Sequence, residues 1–247
     1  MRQPQDLHYF QIRIAPQSPL LTVRVLLPPD YYRSERRYPV IYMLDGQNLF
    51  EAKTAFGGRH WKIPKTMAKM PKRLQAIVIG IDNAGSDRIR EYAPYRRGKQ
   101  GGGGLEHIQF IINELKPEVD ASYRTLPQSE TTALIGSSMG GLLALWAGLR
   151  FGEVFGKVGA LSPSLWFNPQ VFQLAENDVG KKSKFYLAGS RTESGRMELG
   201  LQRAYQALRK GGFSDEQARV VIRDRGKHNE VQWGREFPKM WRWLFDK

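Results

Sequence analysis

Gly136-Ser137-Ser138-Met139-Gly140 reads G-x-S-x-G between the partly β-branched run Thr131-Thr132-Ala133-Leu134-Ile135 and a segment in which Leu142, Leu143, Leu145, Trp146, Leu149 and Phe151 recur at helical spacing. The pattern sets Ser138 on a strand-to-helix turn. Small neighbours let the chain bend sharply there, the hydroxyl stands clear of the backbone, and the amino end of the helix faces any developing negative charge. Ser138 is therefore the candidate nucleophile for attack on a carbonyl carbon.

A serine nucleophile needs a general base, and the chain offers four histidines. His8 lies in an alternating run that reads as an edge strand, and His107 lies in a helical pattern formed by Leu105, Ile108, Ile112 and Leu115, so both read as structural. His60 precedes Trp61 in a basic loop and comes before the serine, whereas a serine on a strand-turn-helix elbow is followed by its acid and then its histidine. His228 satisfies that order. It follows the strand-like Ala218-Arg219-Val220-Val221-Ile222-Arg223 and precedes the closing helix. Between serine and histidine, Lys184 to Gly189 reads as the penultimate strand and Glu193 is the first carboxylate beyond it. A carboxylate there accepts a bond from the imidazole, fixes its tautomer and stabilises the imidazolium. Asp224, at the end of the last strand, is the reserve candidate.

These groups need a scaffold. An opening antiparallel hairpin is expected from Leu7 to Ile14 and Leu20 to Leu27, turning through Ala15-Pro16-Gln17-Ser18-Pro19, after which strands alternate with helices. Further strands are expected at Pro39 to Leu44, Gln75 to Ile81, Thr131 to Gly136, Lys157 to Leu161, Lys184 to Gly189 and Ala218 to Asp224. The pattern predicts one α/β domain over residues 1–247, with a mostly parallel sheet and helices on both faces. About twenty residues separate Pro163 from Lys184, enough for a short flap and too few for a separate cap domain, so an open cleft is expected.

Several stretches resemble the esterase D or enterochelin-esterase-like group of α/β-hydrolases, whose relatives include siderophore esterases, feruloyl esterases and mycolyltransferases. They are Val40 to Phe50, Val78 to Asn83, Glu91 to Pro94, Gly136 to Gly141, Leu161 to Trp166 and Lys227 to Glu230. The resemblance implies an α/β-hydrolase fold, a Ser138, His228, Glu193 triad, and an oxyanion hole made by the backbone amides of Met139 and Gln47. Many relatives carry the acid as Gly-x-x-Glu, whereas Gly189-Ser190-Arg191-Thr192-Glu193 has one additional residue. Some siderophore-esterase relatives use a serine-histidine pair alone. The implied activity is hydrolysis of carboxylic esters, siderophore-like or hydroxycinnamoyl or acetyl sugar esters among them. Acyl transfer on the same fold and a catalytically inactive basic binding protein are the alternatives.

Thirty-eight basic against twenty-four acidic residues give a net charge of +14, and the excess is concentrated. Lys53 to Lys99 holds twelve Lys or Arg and three Asp or Glu. Arg59, Lys62, Arg96 and Arg97 are candidates to attract an anionic ester, and Trp61, Tyr95, Trp166 and Phe167 to line its pocket. The run Gly101 to Gly104 lacks the Gly-Lys-Ser of a phosphate loop and is expected to be flexible. There are no cysteines, which excludes disulfides and thiolate chemistry, and no H-E-x-x-H spacing, so no metal or cofactor is expected. No nucleic-acid signature and no basic amphipathic helix are apparent, and an ester is the expected partner. Met1 to Asp6 lacks a long apolar core and no run approaches a membrane span, which reads as cytoplasmic.

Overall fold

Runs of Val, Ile and Leu pair side by side because their branched side chains pack on a pleated surface buried from above and below. The structure, a computed structural model, describes residues 7–14, 18–177 and 183–246. Its strands are β1 (Leu7–Ile12), β2 (Leu21–Leu26), β3 (Val40–Leu44), β4 (Ile77–Ile81), β5 (Arg96–Arg97), β6 (Gln100–Gly101), β7 (Thr132–Ser137), β8 (Lys157–Leu161), β9 (Lys184–Ser190) and β10 (Ala218–Arg223). The helices are α1 (Ile63–Ala68), α2 (Arg88–Tyr92), α3 (Gly104–Phe110), α4 (Lys116–Ser122), α5 (Met139–Arg150), α6 (Gln170–Glu176), α7 (Met197–Lys210) and α8 (Glu230–Phe245). A π-helical turn, Ile111–Leu115, joins α3 to α4.

Eight strands form one sheet in the order β1-β2-β4-β3-β7-β8-β9-β10. The pairs β1 with β2 and β2 with β4 are antiparallel, and every other pair is parallel. Side chains alternate between two cores. Tyr42, Leu44, Ile79 and Leu134 face one with α3, α5 and α7, whereas Ile41, Met43, Val78 and Ile135 face the other with α1 and α8. The architecture is thus α/β, with a mostly parallel sheet and helices on both faces. The expected strands are present within one or two residues of their predicted ends. Of the predicted hairpin turn, Ala15, Pro16 and Gln17 lie outside the described residues.

The glycine run departs from expectation. The N–H groups of Gly102 and Gly104 donate to the carbonyl of Ala93, and that of Gly103 to the carbonyl of Arg90. Gly101 and Gly102 have φ of +81° and +93°, so a tight, hydrogen-bonded corner beneath the small β5–β6 hairpin is what requires glycine, rather than a hinge. Between β8 and β9 the described residues hold a short loop and α6, with no separate cap.

The chain runs from β3 outward to β4 and returns to β7 on the opposite side of β3. The loop leaving β3 leads to α1 on one face of the sheet, and the loop leaving β7 leads to α5 on the other. Their divergence marks the topological switch point at the carboxyl ends of these neighbouring strands, where α/β sheets form their ligand-binding crevice.

Candidate active site

Ser138 occupies one wall of that crevice. Its backbone is held at φ 56° and ψ −119°, a region that costs a non-glycine residue about 1–3 kcal/mol. Three hydrogen bonds hold it there. The Ser138 N–H donates to the Leu161 carbonyl at 2.9 Å, and its own carbonyl accepts from the N–H groups of Ser164 and Leu142 at 2.9 and 3.1 Å. A methyl group on Gly136 would lie 2.4 Å from the backbone of Gly140, so only glycine lets the first turn of α5 close over the end of β7. The Ser138 hydroxyl is half-buried and 3.3 Å from that of Ser164. Met139 is the first residue of α5, and its N–H has no intrahelical acceptor.

His228 and Glu193 meet in the loops after β10 and β9. The imidazole Nδ1 is 3.0 Å from Glu193 Oε2, with the histidine side chain 40% exposed and the glutamate side chain 1% exposed. Glu193 Oε1 accepts from the Ser190 N–H at 2.8 Å, and the Glu193 N–H donates back to the Ser190 carbonyl. The additional residue before Glu193 is absorbed by β9, which runs one residue further than predicted, to Ser190. Thr192 pins the two loops together, its hydroxyl donating to the Gly226 carbonyl and accepting from the Gly226 N–H. Asp224 takes no part in this pairing: its side chain is 85% exposed and binds Arg191.

Trp233, on the first turn of α8, lies edge-on to the His228 ring at 5.0 Å and donates from Nε1 to the Ser162 hydroxyl at 2.8 Å. Ser162 directly follows Leu161, whose carbonyl holds Ser138, so the histidine loop and the serine elbow share one edge of the sheet. Asn229 caps α8 by accepting from the Gln232 N–H at 3.1 Å, which fixes the chain next to His228.

The opposite wall follows β3. Asp45 is left-handed (φ 58°, ψ 50°) and opens a 3-10 turn, Gly46–Asn48, within which the Gln47 N–H has no acceptor. Beneath the turn, Asp45 accepts two bonds from Arg88, at 2.6 and 2.8 Å, and one from Asn83 Nδ2 at 2.6 Å. The Asp45 N–H donates to the Tyr92 hydroxyl at 3.0 Å. Burial acts to lower the Arg88 pKa, but the Asp45 carboxylate outweighs it and the net shift is upward. The resemblance pointed to this stretch without giving Asp45, Arg88, Asn83 or Tyr92 a role, and no local spacing in the sequence pairs them.

The remaining candidates scatter. Trp166 is 49% exposed, with the guanidinium carbons of Arg97 and Arg196 at 5.2 and 5.8 Å from its ring. Tyr95 turns its hydroxyl inward to accept from Trp146 Nε1 at 3.1 Å, and Asn168 bonds its backbone on both sides. Trp61 is 2% exposed and packs on Trp233 at 6.1 Å, behind the histidine. Phe167 is buried beside Trp166, Arg59 is exposed in a basin with Thr192 and Gly226, and Lys62 lies on the α1 side of α8. No group of three or more metal-ligating side chains occurs among the described residues. No helix among them is long and apolar enough to cross a membrane.

Residues 19–244 match the model of the family described as Putative esterase. Over 238 residues the chain is 25% identical to the uncharacterized protein YbbA of Bacillus subtilis (strain 168), covering 90% of this chain and 91% of that one. Over 165 residues it is 27% identical to the ferri-bacillibactin esterase BesA of the same organism, covering 60% of this chain and 55% of that protein. The siderophore hydrolase EstB of Aspergillus nidulans superposes with a TM-score of 0.77 at 16% identity, covering 100% of this chain and 97% of that one.

Proposed function

Because the chain belongs to the Putative esterase family and is a carboxylic ester hydrolase of the α/β-hydrolase fold, we propose that Ser138, His228 and Glu193 are its catalytic triad and that an acyl-enzyme forms on Ser138. The observation that carries this reading is the strained Ser138 backbone at the switch point of the sheet, on the same edge as an imidazole whose Nδ1 faces a buried carboxylate. Glu193 accepts from Nδ1–H and leaves Nε2 as the base. Ser138 Oγ attacks the ester carbonyl and His228 takes its proton. The tetrahedral oxyanion is stabilised by the N–H groups of Met139 and Gln47, which leave the ends of neighbouring strands. Protonated His228 then gives its proton to the departing alkoxide, which leaves as the alcohol. Water, deprotonated by the same imidazole, releases the acid and restores the serine.

The preferred substrates are esters with an anionic or phenolic aromatic part, as in catecholate siderophores or hydroxycinnamoyl conjugates. Trp166, half exposed between Arg97 and Arg196, supports this choice, because an aromatic face beside two guanidinium groups suits a planar anion. The described residues between β8 and β9, a short loop and α6, leave room for a bulky alcohol portion.

Release of p-nitrophenol from acetate, butyrate and octanoate esters, by wild type and by folded Ser138→Ala, tests the chemistry. Turnover lost in the variant supports the triad. Equal rates in both proteins, together with failure of a fluorophosphonate to label Ser138, overturn it.

A further inference from the structure

Behind the aromatic pair Trp61 and Trp233, α1 and α8 flank a half-open cavity of about 330 Å³ that includes none of the proposed triad or oxyanion residues. Its rim carries Lys62, Lys65, Lys69, Arg235 and Arg242, and no carboxylate lines it. Among the described residues none of these five cations has an ion-pair partner. They contrast with Arg73, Arg88 and Arg90 of the same basic segment, which bind Asp246, Asp45 and Glu106. Arg235 also borders the neighbouring basin, where Arg59, Arg225 and Lys227 again meet no lining carboxylate.

The floor is different in kind. Trp61 and Met70 are buried, and Pro238 interrupts α8 above them. Proline has no N–H, so the Gly234 carbonyl, one turn earlier on the cavity wall, lacks its intrahelical donor. Gly234 also lets α8 approach the Trp61 backbone, since a methyl there would lie 2.5 Å from the Trp61 carbonyl oxygen. The cavity therefore combines an apolar base, a helix carbonyl without its i+4 donor and a cluster of cations without ion-pair partners, at a volume typical of small-molecule sites.

We propose that this cavity binds a phosphorylated small molecule with an aromatic or apolar body, at a site separate from the ester cleft. Five mutually repelling cations call for more than a single negative charge. A phosphomonoester brings about −1.5 to −2 and three acceptor oxygens, which lysines meet as point charges and arginines as bidentate forks. A ligand hydroxyl, or a protonated phosphate oxygen, satisfies the Gly234 carbonyl. The confined volume of about 330 Å³ and the apolar base favour a small ligand over a nucleic-acid strand, which would be read along an extended surface.

Calorimetric titration of the full chain with phenyl phosphate, inorganic phosphate and benzoate tests the site at about 0.1 M salt. Phenyl phosphate is expected to bind one to one and at least about tenfold more tightly than either simple anion, since only it combines a phosphoryl dianion with a ring. The double variant Lys65→Glu/Arg242→Glu is expected to lose at least about tenfold, Lys65→Arg/Arg242→Lys to keep binding, and Ser138→Ala to be unaffected. In wild-type protein labelled with ¹⁵N, phenyl phosphate should shift the Trp61 indole and Gly234 amide resonances and leave the Ser138 amide in place. Equal affinity for all three anions, binding unchanged by charge reversal, or shifts centred on Ser138 would overturn the proposal. So would a short RNA that binds through Lys65 and Arg242 while phenyl phosphate does not.

Discussion

Arg88 holds Asp45 by two parallel hydrogen bonds, at 2.6 and 2.8 Å, across forty-three positions of sequence. The pair lies directly under the turn that carries the Gln47 N–H, and the carboxylate side chain is only 5% exposed. Removing one partner strands the other in a poorly solvated place. Arg88→Met should therefore destabilise the fold by about 3 kcal/mol, and its kcat should fall at temperatures where the protein remains folded. Denaturant unfolding alongside ester turnover checks both parts; unchanged turnover would remove Asp45 and Arg88 from the support of the proposed oxyanion turn.

Ser138→Ala should lower kcat on the order of 10⁶-fold without loss of folding, because the other serine of the elbow, Ser137, is buried. The nearby Ser164 hydroxyl, 3.3 Å away, is the group to watch. Residual labelling by a fluorophosphonate in Ser138→Ala would identify it as an alternative nucleophile.

Glu193→Gln and Asp224→Asn should separate cleanly. The first replaces the carboxylate facing His228 Nδ1 by an amide, which removes the charge and lets the ring take the wrong tautomer, and should cost kcat on the order of 10⁴-fold. The second alters a carboxylate that is 85% exposed, and activity should stay within about twofold. Comparable losses in both variants would reassign the acid.

His107 gives a stability prediction. Its ring is fully buried between Tyr92 and Phe110, neither nitrogen has a hydrogen-bond partner among the described residues, and burial pushes its pKa down from 6.5 to about 4. Between those values the unfolded chain holds the proton and the folded chain does not, so stability rises with pH through the window. The contribution is complete above pH 6.5 and is lost as pH falls toward 4, by roughly 3 kcal/mol in all. His107→Phe should flatten the unfolding free energy between pH 5 and 6.5. An unchanged slope would show that other groups set it.

Arg97→Met/Arg196→Met should reduce kcat/KM for a catecholate or feruloyl ester on the order of tenfold and leave a neutral acyl ester unchanged. The wild-type preference for the anionic ester should also weaken as salt rises. A flat salt dependence would remove substrate steering from the account.

Much of this was legible in the sequence, for identifiable reasons. The strands announced themselves because β3, β4 and β7 are buried throughout and so are nearly all apolar. His228 could be singled out because only four histidines exist and three have other surroundings. The contact of Glu193 with His228 could be anticipated because it is the first carboxylate past a strand, although the strand's extra residue was invisible to periodicity. Long-range polar pairs were not legible. Nothing local connects Asp45 with Arg88 and Tyr92, or Trp233 with Ser162, since parallel crossovers bring them together from distant parts of the chain. Aromatic residues misled for a related reason: Trp61 and Tyr95 sit in polar loops, yet one packs against Trp233 and the other turns its hydroxyl toward Trp146.

The helix that closes the fold, α8, rests on β8, β9 and the Trp61 turn, and the loop that starts it carries His228. Ser138 and its strand are made long before that helix leaves the ribosome. On the proposed triad, a chain that has emerged only as far as the elbow therefore carries a serine with no base beside it until α8 docks. The same dependence would tie activity to α8: a protease that removes α8 uncovers the apolar face of α1 and the sheet and, on the proposed triad, disarms the serine in a single cut.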